Sequence, residues 1–360
     1  MDYRNWFDEF DRRDWSTNPS GTVRFALVGL GWWTTDVVLP ALESSDICET
    51  TVLVSSSKEK AQNYVDDSPA DVALTYDAFH EGSASERYDA VYVATPNAYH
   101  LDYVETASEL RKAIIVEKPM EANVDRARRL VDVAESNDVS LMIAYRMHTD
   151  PVVRRARGLI ENGFLGDPVH VYGTNSQRLL DINPDHDQWR LDSDVSGYGT
   201  SVMDLGIYPL NTARFLLRRD PIEARAEMVS THEAFSDVPD ERASFVLRLE
   251  DDVQMACTTS QNGYEDTELT LVGTDGRIEL SPAFHGDCNL HLTRDGISVS
   301  LEMESLDVER EMREEFEYFA DHVLSGRSVY ADGRHGLVDM RTIEAIHESA
   351  ETGSAVPIEE

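Results

Sequence analysis

Three short stretches carry residue types at spacings that chemistry can use. The first is Val28-Gly29-Leu30-Gly31-Trp32-Trp33-Thr34, a G-x-G-x-x-T pattern directly after an apolar run. At a strand-to-helix junction the first glycine permits a tight turn. The second lets a pyrophosphate approach the backbone at a helix N-terminus. Thr34 stands where a third glycine or alanine is usual, so close helix–strand packing is relaxed there. A plain glycine turn has the same signature. The position of this one, after the first strand of a βαβ-like unit, points to dinucleotide binding. The second stretch is Val54-Ser55-Ser56-Ser57-Lys58-Glu59-Lys60. A site for NAD would place an acid at the end of the second strand, for the ribose 2′-hydroxyl. Hydroxyls and two of the chain's four lysines stand there instead. A 2′-phosphate wants donors and positive charge. The stretch therefore reads as an NADP site, with Ser55, Ser57 and Lys60 foremost and Ser56 between them. The competing reading is a serine-rich helix cap with solvated lysines. The third stretch, Glu117-Lys118-Pro119, puts a lysine at the end of another apolar run in a lysine-poor protein.

These stretches need elements that bring them to one place. Apolar runs at 23–29, 50–55, 89–94, 113–118 and 139–145 alternate with helical patterns at 36–44, 58–66, 98–110 and 123–136. Buried strands alternating with helices predict a parallel, doubly wound sheet. Ligands bind such sheets beyond the carboxyl ends of the strands. Thr95-Pro96-Asn97 follows the strand at 89–94 and so lies along the cofactor crevice, with His100 three residues on. By itself His100 reads more readily as a surface residue at a helix start.

After Asp150-Pro151 the pattern changes. A helix over 151–162 ends at Asn162-Gly163, a strand covers 169–178, and a longer helix spans about 200–218. Residues 222–303 read as consecutive strands with turns at Asp251-Asp252, Asn262-Gly263, Asp275-Gly276 and Asp295-Gly296, which predicts an open antiparallel sheet. Two helices follow, at about 309–325 and 336–351. The expected organisation is an arm at 1–22 bearing Trp6, Phe7, Phe10 and Trp15, a cofactor domain at 23–146 and a substrate and oligomerisation domain at 147–360. The last helix could pack back on the cofactor domain.

Composition bounds the partners. The chain has 360 residues, 68 acids against 32 Lys and Arg, and a formal net charge of −36. Nucleic acid and anionic membrane are poor partners for such a surface. Acid excess and lysine depletion together predict a protein of a very salty cytoplasm, where a Debye length of about 3 Å screens the repulsion. The three cysteines, Cys48, Cys257 and Cys288, are widely spaced and odd in number. They argue against a disulfide framework or zinc site, and no metal is expected. The N-terminus has no apolar h-region, and no apolar run reaches a membrane-spanning length, so a cytoplasmic location is expected.

The G-x-G after the first strand, Ala94-Thr95-Pro96-Asn97 with His100, and Glu117-Lys118-Pro119 together resemble the glucose–fructose oxidoreductase / inositol dehydrogenase / MocA family. Two further stretches, 141–151 and 188–211, are similar to its glucose–fructose oxidoreductase branch. The second contains Asp204-x-Gly206-x-Tyr208. The resemblance implies an N-terminal Rossmann domain and a C-terminal α/β domain with a large, open, mostly antiparallel sheet, often an oligomer interface. It implies a catalytic set of Lys118, Tyr208 and Asp204. Without it, Tyr208 would read as a buried helix tyrosine. A phenol with its ordinary pKa of about 10 is a poor base near neutrality, and a neighbouring ammonium favours phenolate. Tyr208 is thereby the expected general base, and Lys118 shares the substrate oxygen. Asp204, one helical turn earlier, binds a sugar hydroxyl or orients Lys118. Trp32, Trp33, Glu117 and Arg146 join the cofactor set. His148, Trp189 and Arg190 are substrate-side candidates. The implied activity is NADP-dependent oxidation of an aldose at C1, D-xylose foremost. The alternatives are a glucose–fructose oxidoreductase that keeps its NADP bound, a dihydrodiol or inositol dehydrogenase, and a silent NADP-binding regulator. A small-molecule sugar and further copies of the chain are the expected partners.

Overall fold

In the computed structural model, residues 10–285, 288–301, 303 and 306–359 are described. Trp6 and Phe7 of the expected arm lie outside them. The described chain forms two compact units. One comprises Trp15–Arg146 and Val308–Met340; the other comprises 10–14, Met147–Asp307 and the residues from Arg341 on.

The first unit is built on a six-stranded parallel sheet. Its strands are β1 (Val23–Val28), β2 (Cys48–Ser55), β3 (Val72–Thr75), β4 (Ala90–Val93), β5 (Ala113–Glu117) and β6 (Leu141–Ala144), in the order β3-β2-β1-β4-β5-β6. All four residues of β4 and of β6 are buried, as a sheet covered on both faces requires. The connecting helices are α1 (Leu39–Glu43), α2 (Lys58–Asp66), α3 (Tyr76–His80), α4 (His100–Glu109) and α5 (Val124–Ser136). Strand β3 and helix α3 are each only a short run or a single turn, too short to carry the periodicity that marks the longer elements. Helix α5 shows why these segments are helical. Asn123 caps it by accepting from Arg126 N at 3.0 Å, and Val124, Ala127, Leu130, Val131 and Ala134 form one buried stripe.

The later helix α10 (Val308–Ser325) also belongs to this unit, with the first turns of α11 (Gly333–Thr352). Between α5 and α10 come α6 (Pro151–Glu161), α7 (Leu179–Ile182), α8 (Ser193–Ser196) and α9 (Ile207–Leu217), all in the second unit. Helix α10 closes the sheet with aromatic rings. Phe316 meets Phe25 edge-on at 5.2 Å and Tyr92 at 5.1 Å, and Phe25 and Phe316 have no exposed surface.

The second unit holds a nine-stranded sheet of β7 (Pro168–Arg178), β8 (Pro221–Val229), β9 (Arg242–Leu249), β10 (Gln254–Ser260), β11 (Asn262–Gly273), β12 (Gly276–Leu280), β13 (Leu290–Arg294), β14 (Ile297–Leu301) and β15 (Val356–Pro357). The order is β14-β13-β12-β11-β7-β10-β9-β8-β15, antiparallel except for β7 with β10. The Asp295-Gly296 turn joins β13 to β14 with both residues at positive φ, the backbone that a two-residue hairpin turn of this kind needs. Asn262-Gly263 is not a hairpin turn: β10 and β11 lie on either side of β7, and only Gln261 separates them in sequence. Asn-Gly reads as a turn locally, but the pairing of both strands with β7 overrides it. Strand β9 alternates exposed and buried residues along its whole length, so one face of the sheet is covered and the other open.

Two outcomes follow from this packing and charge. Replacing Phe316 by Ala removes the ring that joins α10 to Phe25 and Tyr92. It should cost about 3–5 kcal/mol in a urea titration of the protein in molar KCl. The melting temperature of the unaltered protein should rise steeply from dilute buffer to molar KCl, because salt screens the −36 net charge. A flat melting curve across that range would remove the salt-adapted reading.

Candidate active site

Parallel strands put their carboxyl ends on one edge of the first sheet, and the loops after β1, β2, β4, β5 and β6 carry the expected cofactor residues there. Gly29 has φ +95°, and a side chain on it would place Cβ 2.7 Å from Ala94 O. Only glycine fits between those strand ends. Gly31, by contrast, has nothing within 4 Å of a built Cβ, which leaves open space over its backbone for a pyrophosphate. Thr34 donates its hydroxyl to Gly29 O at 2.7 Å, so the residue in place of the third glycine ties the loop's start to its end. A π-turn, Thr34–Val38, follows. Trp32 is 55% exposed, and Trp33 lies with its ring 5.9 Å from the Arg146 guanidinium.

Ser55, the last residue of β2, is buried, while Ser56, Ser57, Lys58 and Lys60 beyond it are exposed. Ser57 is the cap of α2 and accepts from Lys60 N at 3.2 Å. The Lys60 ammonium reaches back to Leu30 O at 2.5 Å, within the glycine loop. Ser57 thus caps the helix, Lys60 reaches the glycine loop, and no acid stands at the strand end. Thr95 has a buried hydroxyl with no partner, an unfilled hydrogen-bonding position at the cofactor edge. Open backbone at Gly31, this orphan hydroxyl and the donors after β2 fit a dinucleotide with a 2′-phosphate.

Other members of the set stand behind the cradle. Asn97 is buried at the start of a 3-10 turn, and Pro96 precedes it. His100 is wholly buried, with Nε2 2.7 Å from Thr95 O and Nδ1 3.2 Å from Met120 O. Burial lowers its pKa, against the pull of those carbonyls. It is thus a post between two crevice loops rather than a surface facing a cofactor. Glu117 accepts from the Tyr92 hydroxyl at 2.7 Å and from Lys118 N at 3.2 Å, which fixes the chain at Lys118. Lys118 is half-buried and precedes Pro119 through a cis peptide. Arg146 is buried and paired with Glu311 of α10. Glu315, one turn further along α10, has both carboxyl oxygens buried without a hydrogen-bond partner. Burial holds its pKa well above the usual carboxylate range; Glu117 and Glu311 add to that, and Arg146 opposes it. Tyr92, Glu311 and Glu315 lie in no recognisable motif, and only the tertiary packing of α10 marks them.

In the second unit, Asp204 lies in a π-turn, Val202–Gly206, that runs into α9, and Tyr208 follows one turn later. Both are partly accessible. Asp204 Oδ2 accepts from Arg190 Nε at 3.2 Å and from Gln261 Nε2 at 3.0 Å. Arg190 lies 4.5 Å from the Trp189 ring. The Tyr208 ring lies 5.2 Å from His285 and 5.8 Å from Phe284. So Arg190 links Trp189 to Asp204, Tyr208 lies one turn on, and Gln261 joins them at Asp204. His148 does not. It is buried, stacks on Phe215 at 4.2 Å and meets Asn211 Oδ1 at 2.6 Å. Burial pushes its pKa down to about 3, which makes it a neutral core residue rather than a substrate ligand. Among the described residues, no group of three or more His, Cys, Asp or Glu side chains is placed to hold a metal ion.

The strand-end geometry has a direct test. Ser55→Asp restores the acid of an NAD-type site and repels a 2′-phosphate. It should weaken NADP relative to NAD by about tenfold or more, the effect of 1.4 kcal/mol of repulsion. Titration of both cofactors against intrinsic fluorescence would show an unchanged ratio if the phosphate lies elsewhere.

Comparison with known proteins agrees with this architecture. Residues 23–145 match the oxidoreductase family with an NAD-binding Rossmann fold, and 153–279 match the GFO/IDH/MocA C-terminal domain. The chain is 51% identical over 355 residues to a D-xylose 1-dehydrogenase [NADP(+)] of Haloarcula marismortui, covering 97% of this chain and 98% of that one. It is 31% identical over 341 residues to a D-xylose 1-dehydrogenase (NADP(+)) 2 of Haloferax volcanii, covering 94% and 100%. A crystal structure of aldose–aldose oxidoreductase from Caulobacter crescentus, complexed with glycerol, superposes with a TM-score of 0.86 at 25% identity, covering 93% of this chain and 99% of that one. The chain belongs to the GFO/IDH/MocA oxidoreductase family.

Proposed function

We propose that this protein is an NADP-dependent D-xylose 1-dehydrogenase that oxidises the cyclic sugar to D-xylonolactone. The observation that carries the reading is 51% identity, over nearly the full length of both chains, to the Haloarcula enzyme of that activity. The cradle after β1 and the hydroxyls and lysines after β2 fit the cofactor, and Lys118, Asp204 and Tyr208 supply the expected proton chemistry.

NADP, when bound, supplies the hydride acceptor at C4 of its nicotinamide. Tyr208 takes the proton of the anomeric hydroxyl as general base, and Lys118 donates a hydrogen bond to the same oxygen. Asp204, held by Arg190 and Gln261, is an acceptor for a sugar hydroxyl. C1 loses a hydride and its hydroxyl a proton, the ring becomes a lactone, and water later opens it to the aldonic acid.

The second unit also bears on assembly. On the sheet, Arg225, Val246, Ala256 and Tyr172 lie side by side in register across β8, β9, β10 and β7. Val246 is 48% and Tyr172 51% exposed. A shallow concavity of about 900 Å³ covers this row. An open sheet face of this kind is the surface on which copies of the chain associate, and the protein works as a homo-oligomer in a salt-rich cytoplasm. No helix among the described residues is long and apolar enough to cross a membrane.

The deciding assay follows NADPH absorbance in molar KCl with NADP and a panel of pentoses and hexoses. Many turnovers per enzyme with D-xylose, faster than with glucose, are expected. A single turnover followed by a stop unless a second aldose is added would favour the other reading, a tightly bound cofactor cycling between two sugars, which the likeness to the Caulobacter enzyme keeps in view. Tyr208→Phe should lower kcat by about 10²-fold or more with the fold intact. Full turnover by that variant would end the assignment of Tyr208 as base.

A further inference from the structure

The helix that bears Asp204 and Tyr208 begins without a cap of its own. Ser201, which precedes the π-turn, makes no side-chain bond to the helix amides; its hydroxyl meets Thr259 Oγ1 at 3.0 Å instead. The first amides of a helix need partners, and a carboxylate suits them because it also faces the positive end of the helix dipole. Here the partner comes from far along the chain. Asp240 is wholly buried. Its Oδ1 accepts from Thr200 N at 2.7 Å and its Oδ2 from Val202 N at 2.8 Å.

The seat for this carboxylate is tight. A Cβ on Gly199 would collide with Asp240 Oδ1 and lie 2.7 Å from His347 Cε1. His347, on α11, brings Nε2 to 3.9 Å from Asp240 Oδ2. Its ring stacks on Tyr198, whose hydroxyl donates to Glu344 at 2.5 Å. The next residue in sequence, Glu241, is engaged elsewhere: it accepts from Thr231 N at 2.6 Å, His232 N at 2.8 Å and Asn262 Nδ2 at 2.9 Å. Its own carbonyl receives Gln261 N at 2.9 Å. The dipeptide Asp240-Glu241 therefore anchors both the start of the helix and the segment that lends Gln261 to Asp204.

We propose that Asp240 is a positioning residue for the reaction, holding Asp204 and Tyr208 in place by capping the helix that carries them, with Gly199 leaving room for its carboxylate. The inference rests on the assignment of Tyr208 as general base. The π-turn between cap and Tyr208 makes the arrangement sensitive. Its wider turn has to be held at both ends, and a loosened first turn moves Asp204 away from Arg190 and Gln261. Burial pushes the Asp240 carboxyl up to about 7, with the helix amides opposing it. Burial also pushes His347 down to about 4, so His347 is neutral where Asp240 titrates. Protonation removes the charge that faces the helix amides and turns one oxygen of Asp240 into a hydroxyl, a weaker acceptor, so the bonds from those amides weaken. The sign for stability is the reverse. A carboxyl raised in the folded state stabilises the fold fully below its ordinary range, and that contribution is lost as pH rises through about 7. Acidification through this group thus weakens the cap without weakening the fold.

The test compares Asp240→Asn, Gly199→Ala and Tyr208→Phe in molar KCl, with NADP and D-xylose as the probes. Asp240→Asn should melt as a folded protein, bind NADP as the unaltered enzyme does, and lose about ten- to hundredfold in kcat. On acidification through about pH 7 its rate should fall less than that of the unaltered enzyme, the part of the fall that comes from protonating the base Tyr208 being common to both. Gly199→Ala leaves every titratable group in place, displaces the carboxylate, and should lower kcat with the acid limb retained. If Asp240→Asn does not fold, Gly199→Ala decides by itself. Normal kcat in the folded Asp240 variant, or in Gly199→Ala where that variant fails to fold, overturns the inference, and so does an unchanged acid limb in Asp240→Asn. If Tyr208→Phe is inactive while those variants are normal, only the inference falls. If Tyr208→Phe turns over normally, the assignment of the base falls and the inference with it.

Discussion

Parallel strands have one edge at which all their chains leave in the same direction, and the cofactor end of this protein depends on that constraint. Five loops meet there because β1, β2, β4, β5 and β6 run the same way. Gly29 and Ala94 approach closely there, and a Cβ on Gly29 would sit 2.7 Å from the Ala94 carbonyl oxygen. The loops are then held from behind. Thr34 ties the glycine turn to itself, His100 links Thr95 to Met120, and Tyr92 fixes Glu117. None of these contacts needs to touch a cofactor to matter, since each sets where a backbone amide or the Lys118 side chain begins.

The second unit solves a different problem. Its reactive groups lie on a helix rather than at strand ends, and a helix carries its first amides unsatisfied. Distant side chains answer that need: Asp240 at the amides, Arg190 and Gln261 at Asp204. Both units place a π-turn next to the residues of interest, at Thr34–Val38 and at Val202–Gly206. Such turns are costly in a plain helix and recur at functional sites, where they re-aim a side chain. The large acid excess bears on neither arrangement directly. It sets the conditions under which both can persist, because repulsion among surface carboxylates falls as salt rises.

Much of this was legible in the residues. Apolar runs long enough to be buried on both faces gave away β1, β2, β4, β5 and β6. Asp150-Pro151 and Asn162-Gly163 marked the ends of α6, whose cap Asp150 accepts from Val152 N and Val153 N at 2.8 Å each. Local chemistry was enough in those places because the signal and the structure act over the same few residues. It failed where they do not. β3 and α3 are too short for a periodic pattern. Asn262-Gly263 has turn chemistry, yet β10 and β11 each pair with β7. His100 reads locally as a surface residue at a helix start and His148 as a substrate-side group, and the fold buries both.

By itself, the sequence determined the fold class, the order of the elements, the glycine cradle, the acid-free end of β2 and the motifs that hold Lys118, Asp204 and Tyr208. These depend on residue type, spacing and period, which neighbours in the chain suffice to define. Only the tertiary structure decided which polar residues stand behind the site. Asp240, Gln261, Tyr92 and Glu315 have no motif, and their roles come from hydrogen bonds and burial between segments far apart in the chain. Burial also decided protonation. Removing a side chain from water shifts its pKa by an amount that no local pattern encodes, which is why His100 and His148 are neutral struts.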